Sequence, residues 1–367
     1  MPMKPMIDRT GRAQPRSYTV LRPLTRFAVS VSVLAIAGLF FAFAPPAHAQ
    51  ASQTLPADMH ASAAKSLDLV FREDYRNAEA EADKIIRTYP DHPAGYFFKA
   101  AVADAWMQRF QSNRREAEFH RLCDQAIERA ESILAATPND EWARFFLGAS
   151  DGLKGTFEAR YERYITAFRF GWKGVSVFLR MASEGSSNPD IRFGIGTYDY
   201  WRSALMRLLW WMPGVPDKRA DGINTLRGVM QNGVYSRTSA AMVLVEIYQN
   251  EGLHQDALNL SDRMLQQYPR ALVFHWSRAA ALFGLKRYEE AIAAYRQIFE
   301  RVEKDANSNF YNSVQSRMGM ARSMAALGQS EEAKEQLTAI DGYTLSRDIR
   351  KRLEALLKEA ETLKRRV

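Results

Sequence analysis

The chain has 367 residues and a formal net charge of +8, and 47% of its residues are hydrophobic. Its single cysteine, Cys123, excludes an intrachain disulfide, so a stable core must come from chain length and apolar side chains. Residues 1–49 hold six Lys/Arg and one acid. Without them 44 basic and 41 acidic residues remain, so the net charge of 50–367 is only +3. This overall balance indicates neither a nucleic-acid-binding footprint nor a polybasic membrane surface.

Residues 1–49 have the pattern of an export signal. A basic stretch precedes an uncharged apolar run at 27–44, and Ala47-His48-Ala49 supplies a small-x-small cleavage site. We expect cleavage near Ala49 and a periplasmic or secreted protein that starts at Gln50. The alternative is an inner-membrane protein in which residues 27–44 stay as an uncleaved anchor, since about 18 apolar residues can just span a bilayer.

A recurring pattern follows, in which a small alanine precedes a proline by twelve residues. A small residue lets a neighbouring helix approach closely, and a proline ends one helix pair because it lacks an N–H and fixes its own φ. Self-similarity at a fixed spacing is typical of a helical solenoid. The three copies are Ala78 and Pro90, Ala126 and Pro138, and Ala257 and Pro269.

The clearest repeat unit spans residues 238–271, with a turn at Glu251-Gly252, and the next unit places Ala291 where Ala257 stood. The step from 257 to 291, the turns that lead into Glu-Glu-Ala and the closing Tyr-Pro resemble tetratricopeptide repeats. This resemblance implies an all-α, right-handed helical-hairpin solenoid. It also implies a non-catalytic scaffold that binds a protein or peptide on the concave face lined by the first helices of successive repeats.

We expect the middle of the chain to depart from the regular repeat, because the prolines at 90, 138 and 189 lie farther apart than the step from 257 to 291. Phe157, Tyr161, Tyr164 and Phe168 step by four, three and four, which predicts one face of a single helix. Ser346 is the predicted N-cap of a last helix that covers the open end of the array. The predicted organisation is a flexible segment at 50–57, N-terminal repeats at 58–153, an expanded helical segment at 154–236, C-terminal repeats at 237–345 and a capping helix at 346–367.

The residues offer little for catalysis, and we predict no enzyme and no cofactor. The five histidines after residue 49 are scattered, and His120 with Cys123 supplies too few ligands for a metal. We interpret Cys123 as a buried inert thiol. The acids of residues 190–221 are interpreted as helix caps and loop residues. An enzyme of unrecognised type stays a third alternative. The acids in question are Asp190, Asp199, Asp217 and Asp221.

The best functional prediction is a partner-binding concave face, since aromatic residues, methionine and arginine are enriched at the centres of interfaces. For each of these residues, ordinary packing between repeats is the competing interpretation. The predicted partner-binding residues are Phe97, Trp142, Phe145, Glu246, Gln249, Trp276, Phe283, Met318 and Arg322.

Trp210 and Trp211 form a second candidate surface. Adjacent residues point about 100° apart on a helix, so one buried stripe does not easily hide both tryptophans. They form either an exposed apolar patch or part of a thicker buried layer. The alternative function is accordingly a membrane-associated accessory module, anchored by residues 27–44 or by the Trp210-Trp211 region, although membrane contact is not favoured.

Overall fold

The computed structural model describes residues 55–206 and 216–367, with the side chains of 205 and 206 left undescribed. Within these residues the chain is all helical and contains no strand. The helices are α1 (Ala57–Phe71), α2 (Tyr75–Thr88), α3 (Pro93–Phe110), α4 (Glu116–Ala136), α5 (Glu141–Arg160), α6 (Tyr164–Ser183), α7 (Ile191–Met206), α8 (Arg219–Asn232), α9 (Arg237–Asn250), α10 (His254–Gln267), α11 (Leu272–Gly284), α12 (Tyr288–Glu303), α13 (Tyr311–Ala326), α14 (Ser330–Asp341) and α15 (Arg347–Lys364).

Consecutive helices pack against each other in pairs, from α1 with α2 to α13 with α14, and α15 follows alone. First helices of neighbouring pairs also touch, as α1 touches α3, α3 touches α5 and α9 touches α11. This is the arrangement of a helical-hairpin solenoid, in which each unit buries its apolar face against the next. The predicted fold class is confirmed.

The alanine and proline pattern positions these pairs as expected. The alanines at 78, 126 and 257 lie in second helices and are fully buried, as is Ala291 in the next unit. The prolines at 90, 138 and 269 fall between the end of one pair and the start of the next. The small residue therefore lies at the helix contact, and the proline lies at the boundary.

The predicted turns and the predicted cap are also in place. Gly252 and Gly328 have positive φ values of 71° and 77°, a backbone conformation that favours glycine. The Ser346 side chain accepts a hydrogen bond from the N–H of Ile349 at the start of α15. Leu353 of α15 is buried in one cluster with Met318 of α13. The last helix thus packs on the final hairpin, and its role as a cap of the array stays a prediction.

One prediction about the middle of the chain is wrong. Phe157 and Tyr164 do not share a helix, because α5 ends at Arg160 and α6 begins at Tyr164. Glu162 between them has a φ of 60°, in the left-handed region that interrupts a right-handed helix. As a result Phe157 is fully buried, whereas Phe168 lies on the exposed side of α6.

The array winds back so that its first turns contact its later repeats. Glu73, between α1 and α2, accepts a hydrogen bond at Oε1 from the N–H of Leu272, 2.7 Å away, and its Oε2 pairs with Arg301. Gln111, between α3 and α4, accepts hydrogen bonds from Asn309 and Arg352 at 2.9 and 2.7 Å. We call these four pairings the closing contacts. They join residues about 200 to 240 positions apart in sequence.

Candidate functional site

The candidate site is the inner face formed by the first helices α9 and α11. The repeat step that carries 257 to 291 gives Glu246 and Ala280 equivalent positions on the two helices, and likewise Gln249 and Phe283. The Gln249 side-chain amide donates to the carbonyl oxygen of Ser277 at 3.0 Å, which ties α9 to α11 at this level. Two neighbouring repeats therefore present one surface, defined here as the α9–α11 inner face.

Glu246 is the most unusual group on this face. Burial raises the pKa of its carboxyl to about 7, and the distant positive charge of Arg160 only partly opposes this effect. Within the described part of the chain, Glu246 has no ion pair and no hydrogen-bonding side-chain partner. Most buried carboxylates are paired because an isolated buried charge is costly. The residue as a whole is half-buried, so part of it is in contact with solvent although burial dominates the pKa of its carboxyl.

Trp276 and Phe283 lie on α11 and are partly buried against the core of the C-terminal repeats. The Trp276 ring is 6.1 Å from the ring of Tyr295, and the Phe283 ring is 5.5 Å from that of Tyr288. Each aromatic residue therefore contributes to packing through one side and keeps part of its surface in solvent. The surroundings of Trp276 therefore fit both competing interpretations, a partner-binding anchor and a core residue.

The predicted site residues of α13 lie against the terminal helix. Met318 is fully buried, so it offers no surface to a partner. The Arg322 guanidinium makes two hydrogen bonds with the Glu359 carboxylate of α15, at 2.8 and 2.6 Å. Because α15 packs on α13, these residues serve the end of the array in this structure.

The three predicted residues of the N-terminal repeats belong to an aromatic cluster. The Phe97 ring lies 5.5 Å from Phe146, and the Trp142 ring lies 5.6 Å from Phe145 and 5.8 Å from Tyr235. Phe145 is only 4% exposed, which corrects the prediction that it faces a partner. Tyr235 precedes α9, so this cluster joins the N-terminal helices to the C-terminal repeats.

Sequence reasoning did not identify Arg160, whose positive charge acts on Glu246 from the N-terminal half. Arg160, at the end of α5, binds the Asp104 carboxylate of α3 through both terminal nitrogens, at 2.8 and 3.3 Å. Gln108 donates to the same carboxylate at 2.7 Å. Asp104 neutralises Arg160 locally, which leaves Glu246 without a full counter-charge. No sequence signal relates α3, α5 and α9 across such separations.

The histidines and the cysteine have structural surroundings. His60 lies 2.8 Å from the Tyr235 hydroxyl, and His92 accepts a hydrogen bond from the first turn of α3. His120 lies 3.3 Å from the Glu158 carboxylate, and burial lowers its pKa. Cys123 is buried, and burial raises the pKa of its thiol, which confirms the prediction of an unreactive group. No cluster of three metal-ligand side chains occurs among the residues that the structure describes.

The acids of residues 190–221 do not all act as helix caps or loop residues, since Asp199 lies inside α7. The clearest role is that of Asp190. Its buried carboxylate accepts hydrogen bonds from the N–H groups of Val234, Tyr235 and Ser236 in the turn that leads into α9, with Oδ1 distances of 3.0, 3.2 and 3.0 Å. Negative charge at a helix N-terminus is favourable because the free N–H groups lie there. Asp190 therefore fixes the start of the helix that carries Glu246.

Two predicted features, the export signal with its apolar run at 27–44 and the Trp210-Trp211 patch, lie outside the described residues. Across 55–206 and 216–367, no helix combines the length and apolar character needed to cross a bilayer.

Comparison with known proteins gave structural similarity only. No family model matches the chain, and no curated protein matches it. Among solved structures, it is similar to a tetratricopeptide repeat protein from Parabacteroides merdae, with 13% identity and a TM-score of 0.36 over 84% of this chain and 99% of that one. It is also similar to the P58(IPK) TPR domain, with 13% identity and a TM-score of 0.26 over the same shares. The architecture itself is established by the order and packing of the chain's own helices.

Proposed function

We propose that this chain is an exported, non-catalytic scaffold that binds a protein or peptide partner on the α9–α11 inner face. Hairpin arrays present extended concave surfaces to partners, and this chain has such an array. The observation that carries the proposal is the buried carboxyl of Glu246, which has no ion-pair partner among the described residues. Trp276 supplies an aromatic surface on the next helix.

The chemistry of Glu246 favours a partner segment that carries a lysine or arginine. A cation brought to this carboxyl supplies the counter-charge that the described residues lack, and charge pairs of this kind are strong once water is excluded. The negative charge of Glu246 therefore has opposite effects on binding and on folding. The charge serves recognition, whereas its burial opposes folding.

Site-specific photocross-linking tests the location of the partner. A photoreactive amino acid at Gln249, on the inner face, is expected to capture the partner in native extract, and mass spectrometry identifies the adduct. Gln255, which is exposed on α10, serves as the matched position outside the face. Equal adducts at both positions, or none at Gln249, would contradict the proposed surface.

The identified partner then allows a test of the mechanism. Glu246→Gln is expected to weaken binding by about thirtyfold or more, the effect of removing one member of a buried charge pair. Its stability at neutral pH should not fall, because the variant removes a buried charge. Glu289→Gln, an exposed acid on α12, is the control and should bind as the original protein does. Unchanged affinity of Glu246→Gln would discard the charge-pair mechanism.

Trp276→Ala separates anchor from core. We expect weaker partner binding with only a small loss of stability if the exposed part of the ring makes the contact. A loss of about 3–5 kcal/mol in unfolding free energy, with normal affinity in the folded fraction, would assign the residue to the core alone. Mass measurement of the native protein's N-terminus tests export, with Gln50 as the expected first residue.

A further inference from the structure

The outer side of α6 carries four large apolar side chains in solvent. Ile165, Phe168, Trp172 and Leu179 are 85%, 50%, 49% and 40% exposed. Their spacing of three, four and seven residues places them along one line of the helix, roughly 21 Å from end to end at 1.5 Å per residue. We call this row the α6 outer stripe.

The core of the protein does not need the α6 outer stripe. A separate set of apolar residues on the same helix, including Val175, Phe178 and Met181, is buried, and α6 packs on α5 and α7 through that side. A soluble surface helix ordinarily has one apolar side, which faces the core. Here a second apolar side remains in solvent, and contiguous exposed apolar surface of this kind marks interaction sites.

A line of positive charge runs beside the stripe. Arg169, Lys173 and Arg180 are exposed and follow each other by four and seven residues, and the sequence of α6 contains no Asp or Glu. Arg169 and Arg180 form no ion pair with any residue that the structure describes. The Lys173 ammonium lies 3.5 Å from the buried carboxylate of Asp151. Two of the three cations therefore have no counter-charge among the residues that the structure describes.

The neighbouring helix continues the same chemistry. The ring of Tyr198 in α7 lies 6.0 Å from the ring of Trp172, and the Arg202 guanidinium lies 5.8 Å from the Tyr198 ring centre. Aromatic rings with a polar edge, next to arginine, are favoured where apolar and aqueous surroundings meet. The surface is thus wider than a single helix.

We propose that the α6 outer stripe docks on the surface of an anionic lipid bilayer, with α6 parallel to the membrane plane. Large apolar side chains would enter the boundary of the acyl chains, and the adjacent cations would contact lipid phosphates. The stripe is a protruding row of side chains rather than a groove, and a fluid bilayer accommodates such a row without a matching shape. This activity uses helices other than those of the α9–α11 inner face and goes beyond partner binding.

Vesicle binding by the full chain tests the proposal. We expect the protein to bind phosphatidylglycerol-containing vesicles more tightly than vesicles of phosphatidylcholine alone. The triple variant Phe168→Ser/Trp172→Ser/Leu179→Ser should lose about tenfold or more of this affinity, and Arg169→Gln/Arg180→Gln should lose about tenfold of it and most of the preference for the anionic lipid. The matched control is Val234→Ser/Leu253→Ser, which removes two exposed apolar residues elsewhere and should change nothing.

All variants share the N-terminus of the original protein, so only the difference between them reports on α6. Equal vesicle binding by the triple variant and the original protein would assign any membrane affinity to another segment and overturn the proposal. Failure of the original protein to bind anionic vesicles would also overturn it. One further result would overturn the proposal: the original protein self-associates in sedimentation, whereas the triple variant is a monomer that binds vesicles equally well. The stripe would then join two copies of the chain.

A second measurement does not depend on how the triple variant folds. Lipids brominated near the upper acyl chain quench tryptophan that enters the bilayer. The Trp172→Phe variant keeps an aromatic ring, and the difference between its quenching and that of the original protein isolates Trp172. We expect Trp172 to be quenched on anionic vesicles. An unquenched Trp172 on vesicles that carry bound protein would contradict the orientation of α6.

Discussion

The α5–α6 hairpin and the α9–α10 hairpin bring their two helices together in different ways. In α5–α6 the helices meet at glycines: a Cβ added to Gly174 would lie 2.6 Å from the carbonyl oxygen of Gly148 and 2.7 Å from the nitrogen of Gly152. In α9–α10 the contact is made by small and branched side chains, with Ala257 fully buried among them. One interface joins backbone to backbone, and the other joins side chains.

This difference in helix contact accompanies a difference between the two proposed functional surfaces, the α6 outer stripe and the α9–α11 inner face. Backbone contact brings α6 close to α5 over 20-residue helices and needs only glycines and a few apolar side chains. The remaining apolar residues of α6 point outward as the α6 outer stripe. In the C-terminal hairpins the side-chain contact uses the apolar residues for the core, and the exceptional group, Glu246, is on the inner face.

The largest expected effect is at Asp190, which joins the two regions. Asp190→Ala leaves three N–H groups in the turn before α9 without their acceptor, and we expect a loss of about 3 kcal/mol or more in unfolding free energy. Asp190→Asn retains one acceptor oxygen and should lose about half as much. Urea unfolding followed by circular dichroism measures both. Equal stability of Asp190→Ala and the original protein would show that the helix start does not depend on this carboxylate.

Gly174→Ala tests the backbone contact directly. The new methyl group meets backbone atoms of α5 that cannot rotate away, so we expect a loss of about 3 kcal/mol. Gly171→Ala is the matched control three residues earlier, where an added Cβ meets nothing within 4 Å. That variant should gain about 0.5–1 kcal/mol, since alanine is the better helix former. If both variants changed stability in the same direction, the proposed distinction between the two hairpins would be wrong.

Glu246→Gln tests the inner face through pH. The pKa of the Glu246 carboxyl is raised from 4.5 to about 7 in the folded chain, so its contribution to stability is fully present below pH 4.5 and is lost as the pH rises through 7. The variant should therefore become more stable than the original protein over this range, by about 3 kcal/mol above pH 7. Unfolding measured at several pH values gives the difference. A pH-independent difference would contradict the raised pKa.

The smallest expected effect is at the alanine contact. Ala257→Gly removes a buried methyl group and a good helix former, for a loss of about 1–2 kcal/mol. Ala293→Gly, at an exposed position of α12, isolates the helix-forming term of about 1 kcal/mol. Thermal unfolding compares the two. A stabilising effect of Ala257→Gly would contradict the proposed difference, because it would indicate that α9 and α10 meet through their backbones as α5 and α6 do.

The periodic parts of the fold were predictable because each repeats one local cause. Buried alanines such as Ala257, boundary prolines and turn glycines such as Gly252 act within one hairpin, so their spacing alone reports the architecture. The break at Glu162 was missed, since glutamate rarely adopts a positive φ and only the surrounding packing imposes it. Glu246 was predicted as a site residue, but its raised pKa arises from burial in the folded chain, which the spacing of residues does not reveal. The α6 outer stripe was missed because its exposure depends on where α6 begins, and the break at Glu162 that sets this start was not predicted.

The closing contacts have a consequence for how this array can evolve. An open array gains or loses a whole unit easily, because each unit contacts only its neighbours. In this chain Glu73 meets the N–H of Leu272 and the guanidinium of Arg301, and Gln111 meets Arg352. Deletion of one hairpin between the two ends would shift one residue of each closing contact by one repeat and would break all of these contacts at once. The number of hairpins between α2 and α11 is therefore fixed by geometry, and new sequence is tolerated only where it leaves that count unchanged.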